Sequence, residues 1–277
     1  MPELPEVQEV RRTLEPFVLN VAIVGVTVLR KSYIRAGAGT VFALVGRKIH
    51  RTLRHGKKLF CIFDDGQVLL IHLGMSGCID CCKPDVPRRP HTHFSMRLAT
   101  GYEFRMQDPR RFGGLWHYSS WALAEKSEIT GKMGVDALDV TASHFAAWCN
   151  MRGRLKANLL SQRTVAGLGN IYVDESLWLA RLHPLQVLEN IREKHKVLLA
   201  GAIRKVLNKS ITMGGTTLRD YRNVAQQKGK FAQSLCVYGR AGLPCLRCGG
   251  KLISTVISGR TTVFCGQCQR RISHVAS

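Results

Sequence analysis

Met1-Pro2-Glu3-Leu4-Pro5-Glu6-Val7, followed by Val10 and Leu14, opens this chain. Pro5 suits the first turn of a helix, where its missing N–H leaves nothing unsatisfied. Val7, Val10 and Leu14 recur at helical spacing, so a short helix is expected directly after the Pro2/Glu3 pair. An initiator methionine is readily removed before a small residue, which makes Pro2 the N-terminus. Its nitrogen is then a secondary amine with the Glu3 carboxylate beside it. Such amines attack sugar or carbonyl carbons to give a cationic iminium, an electron sink that permits elimination. The positive end of the helix is expected to lower the amine's pKa, with Glu3 opposing it. Taken alone, the seven residues also read as a Pro/Glu-rich leader, and the rest of the chain decides between the two.

Past this helix the pattern shortens to strands. Val21–Leu29 is β-branched and apolar, and Lys58–Phe63 and Gln67–Leu73 flank the hairpin signal Asp64-Asp65-Gly66. Phe94–Leu98 alternates, turns at Thr100-Gly101 and resumes through Tyr102–Met106. After Met133 the period lengthens again, with helices expected over His144–Cys149, Arg154–Gln162, Ile171–Ala180 and Ile191–Leu207. Asp174 and Glu175 near the start of the third and Arg181 at its end suit a helix dipole. Gly214–Lys230 is rich in Gly, Thr and basic residues with little periodicity, and reads as a long functional loop. The chain is α+β with two domains. Boundaries are set at 1–133 for the β domain, 134–236 for the helical domain with the loop 214–230, and 237–277 for a C-terminal finger.

Charge narrows the partner. Lys and Arg number 41 against 19 acids, a net charge of +22 spread over the whole chain. Such an excess is the footprint of a polyanion, with nucleic acid first and an anionic membrane second. No basic amphipathic helix stands out, and no apolar run approaches the span of a bilayer. The charged Glu3/Glu6 start carries no apolar signal region, so a reducing, cytoplasmic setting is expected.

Four of the 10 cysteines form one pattern. Cys245-x2-Cys248 and Cys265-x2-Cys268 are separated by 16 residues, with strands expected at Thr255–Ile257 and Thr261–Phe264 around a Ser258-Gly259-Arg260 turn. Two such pairs present four thiolates to one tetrahedral, structural Zn2+. Arg260, Arg270 and Arg271 make this finger basic, with phosphate as its target. Cys78-x2-Cys81-Cys82 with His91 and His93 offers a weaker second metal pattern, against which stand free thiols and hydrogen-bonded histidines.

With these motifs in order, the chain resembles the bacterial formamidopyrimidine-DNA glycosylases. The matches are MPELPEV (1–7), GKK (56–58), HLGMSG (72–77), DPRRFGG (108–114), GLGNIYVDE (167–175), GGTTLRDY (214–221), VYGR (237–240) and the cysteine quartet. The resemblance implies an N-terminal antiparallel β-sandwich with flanking helices, a helix–two-turns–helix domain and a β-hairpin zinc finger. It implies a monomer acting on double-stranded DNA that contains oxidised purines. Pro2 would attack C1′, Glu3 would act as general acid and base, and Lys57 would hold phosphate at the lesion. Met75, Arg110 and Phe112 would fill the gap left by a flipped nucleotide. His91, Arg111, Asn170 and Arg260 would contact DNA, Lys156 would meet the oxidised base, and the loop 214–230 would close over it. Leu4 and GGTTLRDY favour the purine branch over the related endonuclease VIII branch for oxidised pyrimidines. The chain departs from the family at Lys58 (often Tyr), Thr92 (often Asp) and Ser161 (often Asp), none of which removes a catalytic group. A zinc protein that binds damaged DNA without cutting it is the alternative from another class.

Overall fold

The computed structural model describes residues 2–218 and 221–272. It divides into two compact units, Met1–Gly131 with Ile211–Lys230, and Lys132–Ser210 with Phe231–Ser277.

In the first unit, α1 (Leu4–Val18) forms where the sequence predicts it and buries Val7, Val10, Leu14 and Val18. Glu3 is its N-cap, and a reciprocal capping box joins Glu3 to Glu6. Five strands, β2 (Ile34–Ala36), β9 (Gly114–Tyr118), β5 (Val68–His72), β4 (Lys58–Phe63) and β3 (Ile49–His55), form one sheet in that order. Four more, β1 (Ile23–Val28), β7 (Thr92–Leu98), β8 (Glu103–Gln107) and β6 (Cys78–Cys82), form the other. Pairing is antiparallel throughout these sheets except for β2 with β9, which run parallel. Leu59, Cys61 and Phe63 of β4 share a core with Phe94, Met96, Phe104 and Met106 of the second sheet and with α1, which makes the unit a sandwich.

The alternate residues of β4, Phe60 and Ile62, enter a second core with Val68, Leu70 and Ala124. Both faces of the five-stranded sheet are therefore covered, which is why β4 is apolar at nearly every position. The cover on the outer face includes α2 (Trp121–Glu128), capped by the Ser120 hydroxyl accepting from the Leu123 N–H. α2 is too short and weakly amphipathic for the sequence pattern to mark it.

The loop 214–230 folds with this first unit, not with the helical domain to which its position in the chain assigns it. The cause is a set of hydrogen bonds to α1. The Thr216 N–H donates to Glu6 Oε1 at 2.7 Å, Tyr221 OH to the Glu6 carbonyl at 3.1 Å, Asn223 Nδ2 to Glu9 Oε1 at 3.1 Å, and the Val224 N–H to Thr13 Oγ1 at 3.2 Å. Val224 also enters the sandwich core. Gly215 and Gly229 lie so close that a Cβ on Gly229 would strike the Gly215 carbonyl. Arg219 and Asp220 of this loop, like Met1, lie outside the described residues.

The second unit holds a short parallel pair, β10 (Val135–Asp136) with β11 (Val165–Ala166), and the helices α3 (Leu155–Leu160), α4 (Asn170–Leu179) and α5 (Glu193–Thr212). The helix expected at 144–149 is a 3-10 run, Ala142–Asn150, in which Phe145 stacks on Trp148 with centroids 4.2 Å apart. The finger is the hairpin β12 (Ile253–Ile257) and β13 (Arg260–Phe264), joined by Ser258-Gly259 with both φ angles positive, at 50° and 68°. That backbone matches the twist of two paired strands.

Candidate active site and nucleic-acid interface

Pro2 and Glu3 are buried at the N-terminal end of α1. Glu6 ties this end to the loop: Oε2 accepts the Glu3 N–H at 2.8 Å while Oε1 accepts the Thr216 N–H. Lys57 sits with Gly56 in the turn between β3 and β4. Its neighbour Lys58 is engaged elsewhere, donating to Glu128 Oε2 at 2.6 Å. His72, paired across the sheet with Lys58, is pushed down to about 4 by burial and by the charges of Lys58 and Lys57. It is neutral at pH 7, and its Nδ1 accepts the Gly74 N–H at 3.2 Å.

Met75 and Phe112, whose default reading by residue type is core packing, stand out in solvent at 42% and 57% exposure. Other large apolar side chains are exposed too, among them Leu246 and Val256, so what marks these two is their place beside Arg110 and Arg111 and not exposure alone. The Arg110 guanidinium lies 4.8 Å from the centre of the Phe112 ring. Beside them is a cleft of about 290 Å3 lined by Arg30, Ser32, Tyr33, Arg35, Arg110, Arg111 and Phe112. Four arginines and no acid line it, so it favours an anion. Arg111 is exposed with φ at 56°, and its carbonyl accepts from Arg35 at 2.9 Å. His91 is exposed with φ at 64°.

In the second unit Gly169 is the N-cap of α4 and Asn170 its first residue. The Asn170 side-chain N–H donates to the Thr261 carbonyl at 2.7 Å, next to the exposed Arg260. Lys156, a further residue of the resemblance, lies on α3. It is fully buried, with its ammonium 2.6 Å from Asp174 Oδ1 and 3.4 Å from the same Thr261 carbonyl. Asp174 Oδ2 accepts the Val263 N–H at 3.1 Å. Burial pushes the Asp174 carboxyl up to about 6, with Lys156 and the Val263 N–H pulling it back.

Glu175 is also buried and accepts backbone N–H groups of Cys236, Val237 and Tyr238 at 2.9 Å each. Asp174 and Glu175 are thus internal anchors for β13 and for 236–238, where the sequence suggests dipole partners. The signal was available: two adjacent acids inside an otherwise apolar helix.

The sulfurs of Cys245, Cys248, Cys265 and Cys268 lie within 4.8 Å of one another. Four thiolates on one Zn2+ at Zn–S distances of ~2.3 Å stand roughly 3.8 Å apart, so the donor set fits one structural zinc. Trp178 Nε1–H donates to Cys245 Sγ at 3.4 Å and the Cys268 N–H to Cys265 Sγ at 3.4 Å, bonds that suit thiolates. The finger's own core holds little more than Val237, Leu252 and Val263 around two of these cysteines, so metal supplies much of its folding energy. Cys268→Ser is expected to lower bound zinc to well under one equivalent. It should weaken DNA binding by about tenfold or more while the β-sandwich signal in circular dichroism persists, since a phosphate-contacting element is lost.

The second metal pattern does not assemble among the described residues. Cys78–Cys82 is a strand, β6, which turns alternate thiols to opposite faces, and the Nε2–H of His93 donates to the Asp108 carbonyl at 2.9 Å. No helix among the described residues is long and apolar enough to cross a membrane.

A buried terminal Pro-Glu pair, an arginine-rich cleft with exposed aromatic and thioether side chains, and a basic zinc finger together define a DNA-processing class of protein. Family models match at residues 1–115 (formamidopyrimidine-DNA glycosylase N-terminal domain), 133–222 (its H2TH domain) and 242–271 (zinc finger found in FPG and IleRS). A formamidopyrimidine-DNA glycosylase of Teredinibacter turnerae is 39% identical, over 97% of this chain and all of the relative. One from Cytobacillus firmus is 37% identical at the same coverage. A Lactococcus lactis FPG variant in complex with a Fapy-dG containing DNA superposes with a TM-score of 0.91 at 34% identity, covering 98% of this chain and 100% of that one. MutM in complex with carbocyclic 8-oxo-G containing DNA gives 0.90 at 32% identity, with the same coverage. The chain belongs to the formamidopyrimidine-DNA glycosylase family.

Proposed function

We propose that this chain excises oxidised purines from duplex DNA and then cuts the strand, with Pro2 as the nucleophile. The observation that carries this reading is the junction at Glu6. One carboxylate joins the Pro2/Glu3 end of α1 to the loop 214–230, so the reacting amine and a loop able to cover a base share one buried group.

With Met1 removed, the neutral Pro2 nitrogen attacks C1′ and the C1′–N bond to the base breaks. Glu3 delivers the proton that lets the base leave. The sugar ring opens to an iminium on Pro2, which acidifies C2′–H. Loss of that proton expels the 3′ phosphate (β-elimination), and a second elimination expels the 5′ phosphate. Water then hydrolyses the iminium and frees Pro2.

Lys57 holds phosphate beside the lesion, next to a His72 that is uncharged at pH 7. Met75, Arg110 and Phe112 occupy the gap left by the flipped nucleotide, and Arg111 and His91 contact DNA around it. Asn170 and Arg260 meet backbone phosphate, the former at a helix start where free N–H groups favour anions. Lys156 supports them from below through the Thr261 carbonyl. Zinc, held by the cysteine quartet, fixes the hairpin that presents Arg260 and takes no part in the reaction. The protein works as a monomer on the nucleoid in the cytoplasm.

Borohydride trapping on duplexes carrying 8-oxoguanine opposite cytosine, with thymine glycol duplexes in parallel, tests this reading. A covalent adduct forming faster on 8-oxoguanine is the expected result. Faster trapping on thymine glycol would move the chain to the pyrimidine branch. DNA binding without any adduct would leave a non-catalytic damage binder.

A further inference from the structure

Beneath the surface, the two loops that carry Met75 and the Arg110/Phe112 pair meet at one fully buried carboxylate, Asp108. Its Oδ1 accepts the Ser76 hydroxyl at 2.6 Å, and its Oδ2 accepts the Gly113 N–H at 2.8 Å and the Tyr33 phenol at 3.3 Å. Ser76 Oγ in turn accepts the Arg110 N–H at 3.1 Å. The Ser76 hydroxyl is therefore a joint: it follows Met75 in sequence, donates to Asp108 and receives from Arg110. Burial and the nearby Asp108 charge push the Tyr33 phenol far up, which keeps it a donor. The backbones also touch, since a Cβ on Gly74 would strike the Gly113 nitrogen and the Phe112 carbonyl carbon. Arg35 closes the far side, donating to the carbonyls of Arg111 at 2.9 Å and Gly113 at 3.2 Å.

We propose that Ser76 and Asp108 are positioning residues that make Met75 and the Arg110/Phe112 pair enter the duplex as one body. The inference rests on the reading that these three side chains fill the gap left by a flipped nucleotide. Two independent loops would each be ordered at the moment of insertion and each bear the entropy of ordering. Joined through Ser76 and Asp108, they are ordered beforehand and arrive in register, which is how preorganised groups lower a barrier.

The test is a double-mutant cycle in single-turnover excision of 8-oxoguanine from a duplex. Met75→Ala, Phe112→Ala and the double variant are measured in the natural background and again with Ser76→Ala. In the natural background the double variant should be slowed less than the product of the two single effects, because either truncation already spoils the joint insertion. With Ser76→Ala the effects should become multiplicative. Ser76→Ala alone should slow excision about fivefold, the scale of one lost hydrogen bond, and Ser76→Thr, which keeps the hydroxyl, should restore the coupling. Asp108→Asn is the second variant should Ser76→Ala fail to fold. It keeps the shape of the side chain, but with the amide oxygen on the Gly113 N–H and the Tyr33 phenol its NH2 faces Ser76. That turns the Ser76 hydroxyl from donor to acceptor and competes with the Arg110 N–H for the Ser76 oxygen, so the coupling should fall there too.

Coupling that persists in Ser76→Ala, or effects already multiplicative in the natural background, would overturn the inference while leaving the gap-filling roles intact. Met75→Ala and Phe112→Ala that both excise at the natural rate would overturn the gap-filling reading, and the inference with it.

Discussion

Protein that retains Met1 is expected to give no borohydride-trapped adduct, and its excision rate should fall by more than about a thousandfold, the scale on which removing a nucleophile acts in other enzymes. With Met1 attached, the Pro2 nitrogen is a tertiary amide whose lone pair is delocalised into the carbonyl, so it has neither basicity nor nucleophilicity. Pro2→Gly, correctly processed, restores a primary amine and should recover a slow adduct. Glu3→Gln should lose about 10²–10⁴-fold in excision. It keeps an acceptor oxygen for the α1 capping box, so its thermal midpoint should change little. Intact mass and trapping rate, measured on the same preparations, decide the matter. Equal trapping with and without Met1 would exclude Pro2 as the nucleophile.

The second large effect falls on a residue that touches no DNA in this account. Lys156→Ala leaves Asp174 buried without its cation, and breaking a buried pair in this way costs about 3–5 kcal/mol. The pH dependence has a definite sign. The Asp174 carboxyl already sits above its unfolded value, at about 6 in the folded chain, and loss of Lys156 raises it further. A group with a raised folded pKa contributes stability at low pH and loses it as pH rises through that value. The difference in melting temperature between the natural chain and Lys156→Ala should therefore be smallest near pH 5 and widen toward pH 8. A gap that does not change with pH would mean that the carboxylate is not left bare. DNA affinity should fall as well, because Lys156 and Asn170 share the Thr261 carbonyl.

Lys156 also marks where the sequence stops being readable. The cysteine spacing, the Asp64-Asp65-Gly66 hairpin and the helix after Pro5 are local patterns whose physics is complete within a few residues, and each is present in the fold. Lys156 is different: a lysine on a short helix reads as exposed, whereas contacts far along the chain, among them Asp174, 18 residues on, and Thr261, 105 residues on, hold it inside. The home of the loop 214–230 is equally non-local, since its bond from Thr216 to Glu6 spans 210 residues. Met75 and Phe112 were legible as candidates only through their motifs, because composition alone places Met and Phe in a core. What the motifs could not convey is the shared support below them, where Ser76 and Asp108 read as unremarkable polar positions.

The most direct test of the central claim is to locate the covalent bond. The adduct trapped on an 8-oxoguanine duplex is digested with protease and nuclease, and the peptide carrying the reduced sugar is sequenced by mass spectrometry. The account predicts a single modified peptide that begins at Pro2 and carries the sugar on its N-terminal nitrogen. A sugar on Lys57 or any other lysine, with the N-terminus unmodified, would contradict it.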